Sequence, residues 1–392
     1  MTATRIIAAV VALLLGVQVV RNAAVLAWSE SDPTLASKYW SAHPAVEAAK
    51  SMTEIAEAAR ARRAVPPSAF SMMSDAATKE PLAPEPFLVR GVQAQLRGDG
   101  ATAQRAFEAA QWRDPRSLAA AYFLADRYFR AADPERGLRQ VAALARLAPN
   151  GQAVVGPYLA TYATNPANWP ALRRLFRANP GLANNALAAL ATNVATVPAL
   201  LALADPQAKA KDVSWLPALL STLTGAGRFG QAREIWAKMA GVQLAPGQLL
   251  YDASFTDHTS PPPFNWDLNS STVGLTERQP GGRLHVVFYG QEDGFLASEL
   301  ILLPPGLYRL SVQLLGDPAR GHSLNWSIWC DKAAEPISSV TLDAAATHGW
   351  RFEVPSGCPA QWLKISGVSG DMPQQSDVVI GALNLKRLPP GA

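Results

Sequence analysis

Residues 87–149 read FLVRGVQAQLRGDGATAQRAFEAAQWRDPRSLAAAYFLADRYFRAADPERGLRQVAALARLAP, and they contain one pattern twice. Gly91, Ala103, Phe107, Ala110 and Pro115 recur 34 residues later as Ala125, Gly137, Val141, Leu144 and Pro149. Small residues where two helices touch, larger apolar ones beside them and a closing proline describe a helix–turn–helix unit. Such a unit cannot bury its apolar face alone, so the stretch predicts a stacked helical array. Gly98-Asp99-Gly100 supplies the turn of the first copy, where glycine takes positive φ at no steric cost. Ala132-Asp133-Pro134 supplies that of the second, with Pro134 entering the next helix.

Ahead of the repeats, residues 6–20 form an uninterrupted apolar run behind Arg5. A membrane span needs roughly 20 apolar residues. Here Arg21 and Asn22 interrupt, and residues 23–28 are apolar again. Read as a signal anchor, residues 1–28 form one tilted transmembrane helix, with Arg21 snorkelling to the interface and Trp28 at the outer headgroups. Read as a cleaved signal peptide, they end in a small-residue site at Ala27. Both readings export the rest of the chain, and we take the anchor. A buried core helix fits less well, because the run is apolar all round and lies at the N-terminus. Residues 29–84 read as a linker and two leading helices. The first begins at Pro44 with helical spacing in Val46, Met52 and Ile55, and Arg60, Arg62 and Arg63 close it. Pro66-Pro67 break the chain before a shorter helical piece over 68–73.

At 392 residues the chain is too long for one core. Its charge is unevenly placed: residues 28–250 hold 24 Lys/Arg against 17 Asp/Glu, and residues 251–392 hold 9 against 14. The balances of +7 and −5 mark a composition boundary near residue 250. The basic surplus is spread through helices rather than clustered, which argues against nucleic acid as a partner. Two cysteines occur, Cys330 and Cys358. Behind a targeting segment they predict a disulfide, worth roughly 3–4 kcal/mol on the chain-entropy model. Two thiols alone cannot make a zinc site, and no Cys or His lies at metal-ligand spacing.

After Pro149 the 34-residue period degrades. Pro170, Leu172 and Phe176 mark one further helical element, and residues 182–204 an Ala/Leu-rich pair. Gly225-Ala226-Gly227-Arg228-Phe229-Gly230 matches the dinucleotide pattern G-x-G-x-x-G, which requires a preceding strand. The run before it has helical spacing in Leu216, Leu219, Leu220 and Leu223, so the glycines are a turn between helices. The helical repeats thus occupy 85–243, and a Pro/Gly link follows at 244–248. From there the apolar period changes from 3.6 to 2. Leu284, Val286 and Phe288 alternate with Arg283, His285, Val287 and Tyr289. Tyr308, Leu310, Val312 and Leu314 alternate with Arg309, Ser311 and Gln313. Leu324, Trp326, Ile328 and Cys330 alternate with Asn325, Ser327 and Trp329. Further strands fit 297–303, 337–342, 350–354, 362–367 and 378–385. Short strands separated by turns describe a β-sandwich over 249–392, and eight or more strands favour a jelly roll. The fold class is therefore multidomain: an N-terminal transmembrane or signal helix, an all-α repeat solenoid, then an all-β jelly-roll sandwich.

The small, aromatic and proline positions of 87–149 resemble the tetratricopeptide repeat, a family of protein-binding solenoids. The β-domain, framed by residues 251–255 and 376–380 and carrying Pro263-Phe264-Asn265-Trp266 and the two cysteines, looks like the carbohydrate-binding-module type of jelly roll. Most of the chain, including Leu82-Ala83-Pro84-Glu85-Pro86-Phe87, resembles exported alphaproteobacterial proteins associated with exopolysaccharide production. Sugar recognition needs flat aromatic faces and planar polar groups. Trp329, Trp362 and Tyr289 fall on the polar phase of their strands, and Arg309 and His285 share that phase in theirs. If those strands line one concave face, the five residues form a glycan platform, with Trp266, Trp326 and Trp350 in the core. Carbohydrate modules of this type often hold a structural Ca²⁺ between first and last strands, to which Asp252 and Asp377 would contribute. Apart from that ion no cofactor is expected.

These readings predict a non-enzymatic scaffold held at the inner membrane by a single N-terminal span, with its bulk in the periplasm. Its repeats bind a protein partner and its sandwich contacts polysaccharide or an assembly component of envelope or exopolysaccharide production. One rival is a purely protein–protein assembly factor. Another is a polysaccharide-modifying enzyme, which needs two carboxylates across a cleft. Asp267, Glu277, Glu292, Asp293 and Glu299 are available, but no G-x-S-x-G, H-E-x-x-H or phosphate loop is present.

Overall fold

The computed structural model of the chain describes residues 2–245, 247–371 and 374–389. The outermost ends of the 1–28 and 249–392 spans, and Pro246 within the expected link, lie outside the described residues. A helical region is followed by an antiparallel β-sheet region, and by packing the chain divides into two compact units. One comprises Met1–Val155 with Arg174–Asn179, the other Gly156–Arg173 with Pro180–Ala392.

In the first unit the doubled pattern folds as two helical hairpins, Glu85–Leu96 with Gly100–Arg113 and Leu118–Arg130 with Pro134–Leu147. The same device starts each second helix. Asp99 and Asp133 are N-caps whose carboxylates accept the backbone N–H of Thr102 and Arg136, both at 3.0 Å. Gly98 and Ala132 take the positive φ of the turns, 78° and 56°. The small positions are small because rings occupy the space: a Cβ on Gly91 would stand 2.3 Å from Phe107. Phe107 stacks on Phe123 at 4.7 Å between centroids, so the two hairpins share a core with Leu88, Ala103, Ala110, Leu124 and Tyr128.

The leader is one helix, Thr2–Trp28, whose Arg5–Trp28 portion is long and apolar enough to cross a membrane. Its last turns behave differently from its first. Arg21 Nε donates to the carbonyl of Tyr39 at 3.2 Å, and its guanidinium lies 4.4 Å from the centroid of Trp40. Val25 is buried with Ala36 and Val46, and Trp28 packs on Tyr39. Arg21 is therefore taken up by the following helix rather than reaching alone for an interface. That helix, Pro33–Trp40, lies where a linker was expected. Its eight residues are too few to show a period, but Asp32 caps it by accepting the Leu35 N–H at 2.9 Å. The helix expected over 68–73 runs longer, as Pro67–Lys79.

The second unit contains helices Pro180–Ala191, Val197–Leu203, Leu216–Gly225 and Phe229–Ala240 and ten strands among the described residues. The strands are β1 Asp267–Leu268, β2 Gly274–Gln279, β3 Arg283–Phe288, β4 Gly294–Ile301, β5 Gly306–Leu315, β6 Leu324–Cys330, β7 Ser338–Thr341, β8 Trp350–Val354, β9 Gln361–Gly367 and β10 Ser376–Arg387. They form two antiparallel sheets, β1-β4-β9-β6-β7 and β2-β3-β10-β5-β8. Leu284, Val286, Phe288, Tyr308 and Leu310 of one sheet and Trp326, Ile328, Leu363 and Ile365 of the other belong to a single apolar core, so the sheets form a sandwich. Trp266, Trp326 and Trp350 are buried as expected. The glycine pattern is the turn between the last two helices, with Gly227 at φ 75° and no strand before it. The composition boundary near 250 is not a break in packing. Trp236 Nε1 donates to the Pro261 carbonyl at 2.7 Å, and its ring meets Tyr251 and Phe264 at 4.9 and 5.7 Å. Cys330 and Cys358 are disulfide-bonded, Cα atoms 5.5 Å apart, tying the end of β6 to the loop before β9.

Candidate functional site

β6 and β9 pair antiparallel with Trp329 directly opposite Trp362 and Ser327 opposite Lys364. Because Trp326, Ile328, Leu363 and Ile365 point into the core, the alternating Trp329, Trp362 and Lys364 take the outward phase, with Ser327 on the same phase but buried. Opposed cross-strand side chains stand about 4.5–5.5 Å apart at Cβ, so the two indoles are neighbours. Both are partly exposed. Their N–H groups are held: Trp329 Nε1 donates to Ser327 Oγ at 2.8 Å and Trp362 Nε1 to Asp331 Oδ1 at 3.1 Å. Lys364 Nζ lies 4.9 Å from the Trp329 centroid, and its burial lowers the ammonium from its ordinary value. The two indoles therefore lean toward opposite ends of the strand pair, Trp329 toward Ser327 and Lys364 and Trp362 toward Asp331, giving two partly exposed apolar rings edged by a cation and a carboxylate.

The other three residues of the expected platform are elsewhere. His285 on β3, Arg309 on β5 and Tyr289 just past β3 belong to the opposite sheet, so the five do not share a face. The reason is geometric. The polar phase of a strand points away from the core of its own sheet, and the two sheets of a sandwich have opposite outsides. His285 sits between two carboxylates, Nε2 2.8 Å from Asp377 and Nδ1 3.3 Å from Glu277. Burial by itself would lower the imidazole, but the hydrogen bonds to Asp377 and Glu277 outweigh it and the value is raised. Arg309 Nη2 donates to the His348 carbonyl at 2.8 Å. Tyr289 is 40% exposed at the rim.

The two aspartates expected to hold calcium are also apart in role. Asp252 is buried, receives the Thr256 N–H at 2.6 Å and faces Arg278 Nη2 at 3.4 Å, so its charge is already met. Asp377 is the partner of His285. Among the described residues no group of three or more His, Cys, Asp or Glu side chains is arranged to hold a metal ion.

A buried polar network beside Asp252 was not legible in the sequence. Glu299 on β4 pairs with Leu363 and so shares its inward phase. It is 1% exposed; Oε1 accepts the Tyr251 N–H at 3.1 Å and Oε2 has no partner. Desolvation raises its carboxyl well above the ordinary value, against the opposing pull of the Tyr251 N–H, Arg233 and Arg278. Arg278 also donates to Asn265 Oδ1 at 2.9 Å. Beside it, Tyr251 Oη donates to Asp257 at 2.7 Å, and burial pushes the phenol up to about 12. The only available signal was a charge at an inward position of an apolar strand. Of the remaining acids considered for hydrolysis, Asp293 accepts from Ser369 and Glu292 from Thr272.

No protein-family model matches the chain. No curated protein matches it either, so its reading rests on its own geometry.

Proposed function

We propose that the chain is a non-enzymatic scaffold, tethered to the inner membrane by its leader helix and exposed in the periplasm, whose sandwich contacts polysaccharide through Trp329 and Trp362. The observation that carries this reading is the pair of outward indoles at opposed positions of β6 and β9, with Lys364 beside Trp329 and Asp331 beside Trp362. Flat apolar rings receive the C–H faces of pyranoses, and the flanking polar groups can meet hydroxyls. The strand orders β3-β10-β5-β8 and β4-β9-β6-β7 within the two sheets are those of a jelly roll with one strand added beside each, which supports the resemblance to carbohydrate-binding modules. The Cys330–Cys358 bridge is compatible with export. The two capped hairpins support a tetratricopeptide-like array that binds a protein partner. Together these features favour a role in envelope or exopolysaccharide production.

The test is affinity electrophoresis of the detergent-solubilised full chain in gels containing neutral polysaccharides. Retardation by at least one polymer is expected, and it should disappear in the Trp329→Ala/Trp362→Ala double variant. Retardation by none removes the saccharide contact. A purely protein–protein assembly factor is the second reading, favoured by Trp112 and Tyr122, which are 73% and 63% exposed on the helical hairpins.

A further inference from the structure

The second sheet carries a row of cations that no acid answers among the described residues, although Arg309 also donates to the His348 carbonyl. In the strand order β10-β5-β8, Lys386 stands opposite Arg309, and Arg309 opposite Arg351. Tyr308, Leu310, Trp350, Phe352 and Leu383 on the same strands fill the core, so the three cations share the outer face, and all three are exposed. Neighbouring strands lie about 4.8 Å apart, which places three positive side chains in a row about 10 Å long. Like charges directly opposite on a sheet are destabilising. Among the described residues none of the three makes an ion pair. The acid on this face of β8, Glu353, stands two residues along the strand pair, opposite Leu307. The next row on the other side is Asn384 opposite Ser311, an amide and a hydroxyl.

We propose that Lys386, Arg309 and Arg351, with Asn384 and Ser311 beside them, bind an acidic polysaccharide, a polymer whose sugar units carry carboxylates. The inference deepens the saccharide-contact reading and rests on it, but it uses the face opposite Trp329 and Trp362. The chemistry of the row selects this ligand over other polyanions. No Trp, Tyr or Phe occupies an outward position of β2, β3, β10, β5 or β8, so nucleic-acid bases find no stacking partner. A carboxylated glycan bears isolated charges among hydroxyls, and this face offers guanidinium and ammonium groups next to an amide and a hydroxyl. Guanidinium groups match carboxylates as paired donors.

The experiment uses the detergent-solubilised full chain, with polygalacturonate as the acidic probe and dextran as the neutral one. The wild type is expected to be retarded by polygalacturonate, with retention weakening as salt is raised. The Arg309→Gln/Arg351→Gln/Lys386→Gln variant should bind it roughly tenfold or more weakly, since each lost charged contact removes affinity. Thermal melting of that variant at or above the wild-type temperature keeps the loss from being one of folding. As a second check, Lys386→Arg should retain binding where Lys386→Gln weakens it. The Trp329→Ala/Trp362→Ala variant should keep its polygalacturonate retention, so the two faces can fail separately. Absence of wild-type retention on polygalacturonate, or undiminished retention in the triple variant, overturns the proposal. So does tighter binding to anionic phospholipid vesicles or single-stranded DNA than to the polymer.

Discussion

Glu299 combines full burial with one unpartnered oxygen, and its proton has a consequence for stability. Desolvation holds the folded carboxyl well above the unfolded value of about 4.3. Over the interval between those values the folded chain binds a proton that the unfolded chain has released, so stability declines as pH rises through it. Glu299→Gln keeps an acceptor for the Tyr251 N–H and removes the charge. Chemical denaturation at pH 5 and pH 7.5 should show a smaller difference between the two midpoints than in the wild type. An unchanged difference would mean that Glu299 does not titrate in this range. His285 is linked to pH in the same direction, although its protonated form is the charged one. Its folded value is raised above about 6.5, so its contribution is complete below that pH and lost as pH rises through the folded value. Asp377→Asn should bring the imidazole midpoint, followed by NMR of the ring protons, back toward the ordinary value.

Among the elements, the first helical hairpin shows how a single hydrogen atom sets the approach of two helices. Replacing Gly91 by Ala would add about 0.8–1.0 kcal/mol of helix propensity. The new Cβ would meet Phe107 at 2.3 Å, and that ring is fixed by its stack on Phe123. Overpacking of this kind costs typically about 1–3 kcal/mol, so the clash wins and Gly91→Ala should lower the denaturation midpoint. Retention of wild-type stability would mean that the helices can part. In the sandwich, the Cys330–Cys358 bridge joins β6 to the approach of β9, the two strands that carry the indole pair. Cys330→Ser is expected to cost about 2–4 kcal/mol and to weaken polysaccharide retention in parallel. Full retention in the variant would show that strand pairing alone fixes Trp329 against Trp362.

Within the first unit, the N-terminal helix divides into an exposed apolar stretch and a final part packed on the next helix through Arg21, Val25 and Trp28. A chain lacking residues 2–17 should therefore leave the membrane pellet on alkaline carbonate extraction yet keep the wild-type melting temperature. Retention in the pellet would locate the attachment elsewhere. The 34-residue recurrence, the change of apolar period from 3.6 to 2, the leader and the cysteine pair were readable because each depends on local spacing along the chain. Trp326 was assigned to the core by the same alternation. What spacing could not supply was the sheet to which each strand belongs. Trp329 and Trp362 stand opposite each other because β6 pairs with β9, and Arg309 stands between Lys386 and Arg351 because β5 lies between β10 and β8. A strand's period tells which side chains turn from the core, but long-range pairing decides on which of the two outer faces they emerge. Tertiary structure alone therefore separated His285 and Arg309 from the indoles and enclosed Glu299 beside Tyr251.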